Sequence, residues 1–283
     1  MIIFLYILAI ILAWMIGTVA FSFVNVVAYR FPKQKKILKE HFVCNTCETQ
    51  LKPYESIPVF SFIVLKGRCR YCGERLSRRD FINEIAGGLI ALLVFFRFGD
   101  VDDLSSSFIL SSPLDIVVHF NIWKLLTLLT IFVFFCILDL VFLVDLDTME
   151  IPNRFVIVLL YVAVVSLLVV RGVGIIDHLI GGVCISLPMF LVTYAIPGAF
   201  GGGDVKLSAA AGLIMGWQLT IIGFILGLVA AGIYGIVLLI RKKKSKKDHF
   251  AFGPFLCAGY MIATICGMDI IDAYMKLATF LHG

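Results

Sequence analysis

Long apolar runs alternate with short polar ones along this chain, and most of the runs approach membrane-crossing length. Eight stand out: Ile2–Val27, Ile82–Phe98, Asn121–Val144, Phe155–Val170, Ile175–Pro197, Val205–Met215, Leu219–Ile240 and Ala251–Met268. A bilayer core of roughly 30 Å takes about 20 apolar residues as a helix, so Ile82–Phe98 and Val205–Met215 are short for it. The pattern predicts an all-α polytopic membrane protein with about eight transmembrane helices and a small cytoplasmic loop domain resembling a zinc ribbon. The opening run has no basic stretch before it and no small-residue cleavage site, so it is expected to stay as a first span.

Composition agrees. Of 283 residues, 61% are hydrophobic, well above the half or so of soluble domains. The net charge of +5 matters less than its distribution. Half of the 24 Lys and Arg fall between Arg30 and Asp80, and a quarter lie in Arg241–Lys247. Membrane proteins keep such residues in cytoplasmic loops. Eight spans with the N terminus outside put both basic segments in the cytoplasm. The same count puts Gly99–Leu114, with Asp100, Asp102 and Asp103 and no Lys or Arg, outside. The basic segments read as topology anchors that also attract anionic membrane lipid, and not as a nucleic-acid surface. Three regions follow: a first helix at 1–29, a cytoplasmic four-cysteine domain at 30–80, and a multi-span membrane domain at 81–283.

In the second region "CNTC" (Cys44 to Cys47) is followed after 21 residues by "CRYC" (Cys69 to Cys72). Two CxxC turns, each aiming two sulfurs the same way, complete a tetrahedral S₄ site for one zinc ion. Disulfides are the alternative, but cytosolic thiols stay reduced. Four protein ligands leave no open position, so the metal is expected to be structural. Cys136, Cys184, Cys257 and Cys266 sit singly in apolar runs and read as packing residues.

Acidic residues in or beside spans are functional candidates, because a buried carboxylate costs kilocalories unless it has a partner. Those here are Asp139, Asp145, Asp147 and Asp204, with Glu84 opening the second run. Asp204 follows Gly201, Gly202 and Gly203, which let backbone or substrate come close. Asp145 lies six residues before Ile151-Pro152, where the chain is expected to turn back into the membrane. Both fall at the cytoplasmic ends of their spans. Two aspartates at one depth suggest an aspartic-protease pair in which like-charge repulsion lets one proton be shared. On the residues alone they also read as helix-end caps, or as the ion-binding carboxylates of an ion-coupled transporter. Lys206 either favours the ionised form of Asp204 or extends to the interface.

Several segments in order resemble the type IV prepilin peptidase (leader peptidase/N-methyltransferase) family: "SFVNVVAYRFP" at Ser22–Pro32, the paired CxxC motifs and "LSRRDFINE" at Leu76–Glu84, then "DLDTMEIPN" at Asp145–Asn153, "GGGDVK" at Gly201–Lys206 and "FGPFLCAG" at Phe252–Gly259. The resemblance implies a membrane aspartic endopeptidase that cuts the basic leader of type IV prepilins or pseudopilins after glycine at the cytoplasmic face of a bacterial cell membrane. It implies Asp145 and Asp204 as the catalytic pair and Asp147 as a secondary acidic position. It also implies N-methylation of the new N terminus from S-adenosylmethionine. Glu84, with Arg78 and Arg79, is where a contribution to that second chemistry is expected. One departure stands out: Phe21 occupies a position that the family usually fills with glycine, so any helix contact made there is altered.

Overall fold

The computed structural model of the protein describes residues 2–34, 47, 49, 58–99, 122–170, 174–241 and 250–282. Cys44, His41, His119, His249, the acidic stretch at 100–103 and most of the basic run, 242–247, lie outside them. Among the described residues the fold is all helical, with one isolated antiparallel bridge between Arg68 and Arg75. The chain forms two compact units, Met1–Leu128 and Leu129–Gly283.

In the first unit, α1 (Ile2–Arg30) packs on α3 (Arg78–Phe98), with the short α2 (Phe60–Val64) between them in sequence. Ser77 caps α3 by accepting the Asp80 N–H. The α1–α3 contact explains Phe21. Its side chain is fully buried, and a Cβ added to Gly87 would run into the Phe21 ring and Cβ. A Cβ on Gly17 would strike the Gly87 carbonyl and Ala91. The small residue expected on α1 at position 21 thus has its counterpart on α3, and the close crossing is kept with bulk and gap exchanged. Beyond it, the Asn25 side-chain amide donates to the Asp80 carbonyl at 3.1 Å, and Asn83 donates to Asn25 Oδ1 at 2.9 Å. Polar side chains so joined satisfy each other where the helices leave the apolar layer.

The second unit holds most of α4 (Ile122–Thr148), then α5 (Asn153–Val169), α6 (Ile175–Cys184), α7 (Ser186–Ala195), α8 (Gly202–Met215), α9 (Trp217–Ile240) and α10 (Gly253–His282). All eight apolar runs are helical, but they differ in length. Among the described residues six helical stretches are long and apolar enough to cross a membrane, α6 and α7 counting as one across a break at Ile185. The two that fall short are α5, with 17 residues, and α8, with 14. At 1.5 Å per residue, α8 is only about 21 Å long. It contacts α5, α6, α7, α9 and α10, and its Leu207, Ser208, Ala210 and Ala211 are wholly buried. Protein, not lipid, covers this helix, which removes the length requirement. The last helix overruns its expected end at Met268, because Asp269 and Asp272 lie on its exposed surface and interrupt hydropathy without interrupting the helix.

Adding a methyl at the α1–α3 crossing tests this packing. Gly87→Ala is expected to destabilise the first unit by about 1–3 kcal/mol, the range for overpacking. Phe21→Ala with Gly87→Ala should recover part of that loss, as contacting sites are not additive. Thermal unfolding of the detergent-solubilised variants measures both.

Candidate active site and metal centre

Asp145 and Asp204 reach one place from opposite kinds of helix end. Asp145 sits in the last turn of α4, where Met149 N–H closes on the Asp145 carbonyl at 2.9 Å and Met149 takes a left-handed φ of 55°. Ile151 lies outside any helix, Pro152 is extended, and α5 begins at Asn153. Asp204 is the third residue of α8. Its Oδ2 accepts the Gly201 N–H at 3.3 Å, the arrangement that satisfies an unpaired donor at a helix start. One turn on, Ser208 Oγ donates to the Asp204 carbonyl at 2.8 Å.

Close backbone approach joins the pieces. A Cβ on Gly203 would lie 2.8 Å from Ile151 Cβ, so the glycine seats the α4–α5 turn on the first turn of α8. A Cβ on Gly253, the first residue of α10, would lie 2.6 Å from Asp145 Oδ2, and the Gly253 backbone N–H faces that carboxylate. The rings of Phe200, Phe224 and Phe252 cluster with centroids 5.8–6.5 Å apart, binding the glycine segment to the segment before α10. Asp145 is 4% exposed and Asp204 8%, and the charge of Asp145 acts on Asp204. Asp145 Oδ2 is buried without a hydrogen-bond partner among the described residues.

The other acidic candidates separate. Asp147 is exposed, two residues round the helix from Asp145. Asp139 is buried on the same helix, and the fully buried Cys257 lies within electrostatic reach of Asp139, Asp145 and Asp204 together. Six residues along a helix turn the side chain by about 240°, so Asp139 and Asp145 leave α4 on different faces. Lys206 Nζ donates to Asn153 Oδ1 at 2.9 Å, tying the start of α8 to the start of α5. Sequence reading gave no role to Asn153 or Gly253, and read Ile151 only as part of a turn and Cys257 only as a packing residue. All four lay within quoted motifs, "EIPN" and "FGPFLC", but only the folded packing tells which atoms meet.

In the first unit the sulfurs of Cys47, Cys69 and Cys72 lie within 4.8 Å of one another. Cys69 is buried, its N–H donates to the Glu74 carbonyl at 2.7 Å, and Gly73 N–H returns to the Cys69 carbonyl at 3.0 Å. A tetrahedral site with Zn–S near 2.3 Å separates its sulfurs by roughly 3.8 Å, so the three thiols fit a zinc ion. Cys44, the fourth expected ligand, is outside the described residues. Glu84, near the start of α3, accepts the Val59 N–H at 2.7 Å and lies beside Ser22.

Two family models match: residues 15–98 match the bacterial peptidase A24 N-terminal domain, and residues 132–236 the type IV leader peptidase family. Several curated proteins named prepilin leader peptidase/N-methyltransferase align over nearly the whole chain. That of Bacillus subtilis is 27% identical, covering 93% of this chain and 96% of its own length. That of Pseudomonas putida is also 27% identical, covering 95% and 94%, and that of Legionella pneumophila 26%, covering 90% of each. No solved structure matches.

The cysteine cluster makes a direct prediction. Replacing Cys47, Cys69 or Cys72 by Ser is expected to lower bound zinc from about one ion per chain toward none, because closed S₄ sites hold structural metal. Elemental analysis of protein purified without chelator decides it, and a wild-type chain free of zinc would refute the assignment.

Proposed function

The chain belongs to the type IV leader peptidase family, and on that premise we propose that Asp145 and Asp204 are the catalytic pair of a prepilin peptidase. Its substrate is a type IV prepilin or pseudopilin, cut after glycine between a basic leader and an apolar helix. The scissile bond of such a chain falls at the cytoplasmic membrane surface, where the expected order of spans also puts the end of α4 and the start of α8. The observation that carries this reading is the burial of two carboxylates from separate helices, close enough to feel each other's charge, with backbone glycines on both sides.

The chemistry follows from one proton held between two carboxyls. The ionised member takes a proton from water as its oxygen attacks the scissile carbonyl carbon, while the protonated member donates to the carbonyl oxygen. Collapse of the tetrahedral species breaks the C–N bond, and the proton gained from water passes to the leaving amine. Gly201, Gly203 and Gly253 leave room for an extended backbone. Lys206 supports the site by fixing α8 to α5 through Asn153. Asp147, exposed, is a less favoured member.

The freed amine is the substrate of the second activity. S-adenosylmethionine supplies a methyl group, and the amine loses a proton on accepting it. Glu84, Arg78 and Arg79 are the residues we assign to assist this step. Zinc on Cys44, Cys47, Cys69 and Cys72 takes no part in either reaction and organises the loop that carries them. A transporter reading is not favoured, since family models and relatives alike are peptidases.

Two outcomes are expected. Asp145→Asn or Asp204→Asn should each lower leader cleavage by several orders of magnitude with expression unchanged, since a catalytic pair acts as a unit. A single variant cleaving at near the normal rate, followed by product mass on a synthetic prepilin, would remove that residue from the pair. Glu84→Gln keeps an acceptor for Val59 N–H and should reduce methylation more than cleavage. Mass spectrometry of mature pilin separates the two, and equal loss of both products would make Glu84 structural.

A further inference from the structure

The loop that carries Cys69 and Cys72 also forms a pocket with a different character. A cavity of about 280 Å³ is lined by Lys66, Arg68, Arg75 and Arg78, with Phe62 and Leu76 as its apolar wall. All four cations are exposed. From Pro58 to Arg78 the only acidic residue is Glu74, and its Oε1 accepts the Arg75 backbone N–H at 3.2 Å. A zinc tetrathiolate would be anionic, but it would offset only part of this charge. The cations converge on a site that calls for an anion.

Two further observations fix the source of that anion. Beside the pocket, α2 presents Phe60, Ile63 and Val64 to the outside at 56%, 62% and 59% exposure. Phe62, on the pocket side, stacks on Phe81 of α3 with centroids 4.1 Å apart. The Val59 N–H bond to Glu84 Oε2 pins the same segment to α3 at a second point. The segment is therefore held against the first turns of a helix that is long and apolar enough to cross a membrane and whose first residue, Arg78, lines the pocket. Exposed apolar side chains next to clustered cations, at a membrane-crossing helix end, are the arrangement that enters the headgroup layer of an anionic bilayer.

We propose that this pocket binds the phosphate of an anionic phospholipid, with Lys66, Arg68, Arg75 and Arg78 on the headgroup and Phe60, Ile63 and Val64 in the acyl boundary. The site docks the cysteine loop on the membrane surface. It rests on α3 crossing the bilayer and is independent of the peptidase chemistry, since binding is read without prepilin.

The test uses the full chain in detergent, titrated with dioctanoyl phosphatidylglycerol, dioctanoyl phosphatidylcholine or inorganic phosphate, with adducts counted by native mass spectrometry. Phosphatidylglycerol is expected to bind at least about tenfold more tightly than phosphatidylcholine. Lys66→Gln, Arg68→Gln and Arg75→Gln should each weaken it about fivefold, the effect of one basic residue at an anionic surface. Arg68→Lys and Arg75→Lys should retain it, and unchanged melting midpoints exclude unfolding as the cause. Equal binding of both lipids, or unchanged phosphatidylglycerol binding in the Gln variants, overturns the proposal. Inorganic phosphate displacing the lipid at equal concentration overturns the lipid assignment, leaving a free-anion site.

Discussion

Burying Asp145 at the C-terminal end of a helix is the placement around which the second unit is arranged. A carboxylate there meets the negative end of its own helix dipole and is 4% exposed, so it needs polar partners. Its own helix end offers it only carbonyls, so the compensation comes from elsewhere: the Gly253 N–H at the start of α10 faces the carboxylate. Asp204 differs: its position at the start of α8 is favoured by the dipole and by the Gly201 N–H. The two aspartates thus sit in unequal surroundings, and unequal surroundings are what give two like groups different protonation roles.

The glycines serve that placement. Gly203 admits Ile151, and Gly253 admits the Asp145 carboxylate itself. Each removes a methyl group that would otherwise keep two motifs apart. Far-separated segments of the chain therefore meet through backbone contacts, and the small side chains of Ala210, Ala211 and Gly212 let α8 sit among five helices. Such packing also explains why α8 need not span a bilayer by itself.

Much of this was legible in the sequence. Apolar run length located every long helix, and the CxxC spacing identified the cysteines that the fold gathers within 4.8 Å. Burial cost marked five acidic candidates, and the motif context separated Asp145 and Asp204 from the rest. What hydropathy could not carry was the partner of each feature. Whether α8 crosses lipid depends on what surrounds it, and the end of α10 depends on which side Asp269 and Asp272 face. The effect of Phe21 depended on a glycine 66 positions away at Gly87, a pairing set by helix crossing and invisible along one strand of text. Capping, left open for both aspartates, takes two forms: Asp204 accepts a donor at the start of its own helix, and Asp145 faces the Gly253 N–H at the start of another.

Lys206 completes the electrostatic argument. An ammonium paired with Asp204 would favour the ionised form, and two carboxylates both held ionised have no proton to lend a carbonyl oxygen. Two residues along a helix turn a side chain by about 200°, which carries Lys206 away from the Asp204 face. There its Nζ meets Asn153 Oδ1 at 2.9 Å, a neutral acceptor on the first residue of α5. The cation therefore fastens the helix start without being committed to a carboxylate. Asn153 follows directly on Ile151-Pro152, so the same hydrogen bond steadies the turn that Gly203 receives. Charge is kept near the site for position, and the proposed pair of aspartates is left without a cation from Lys206.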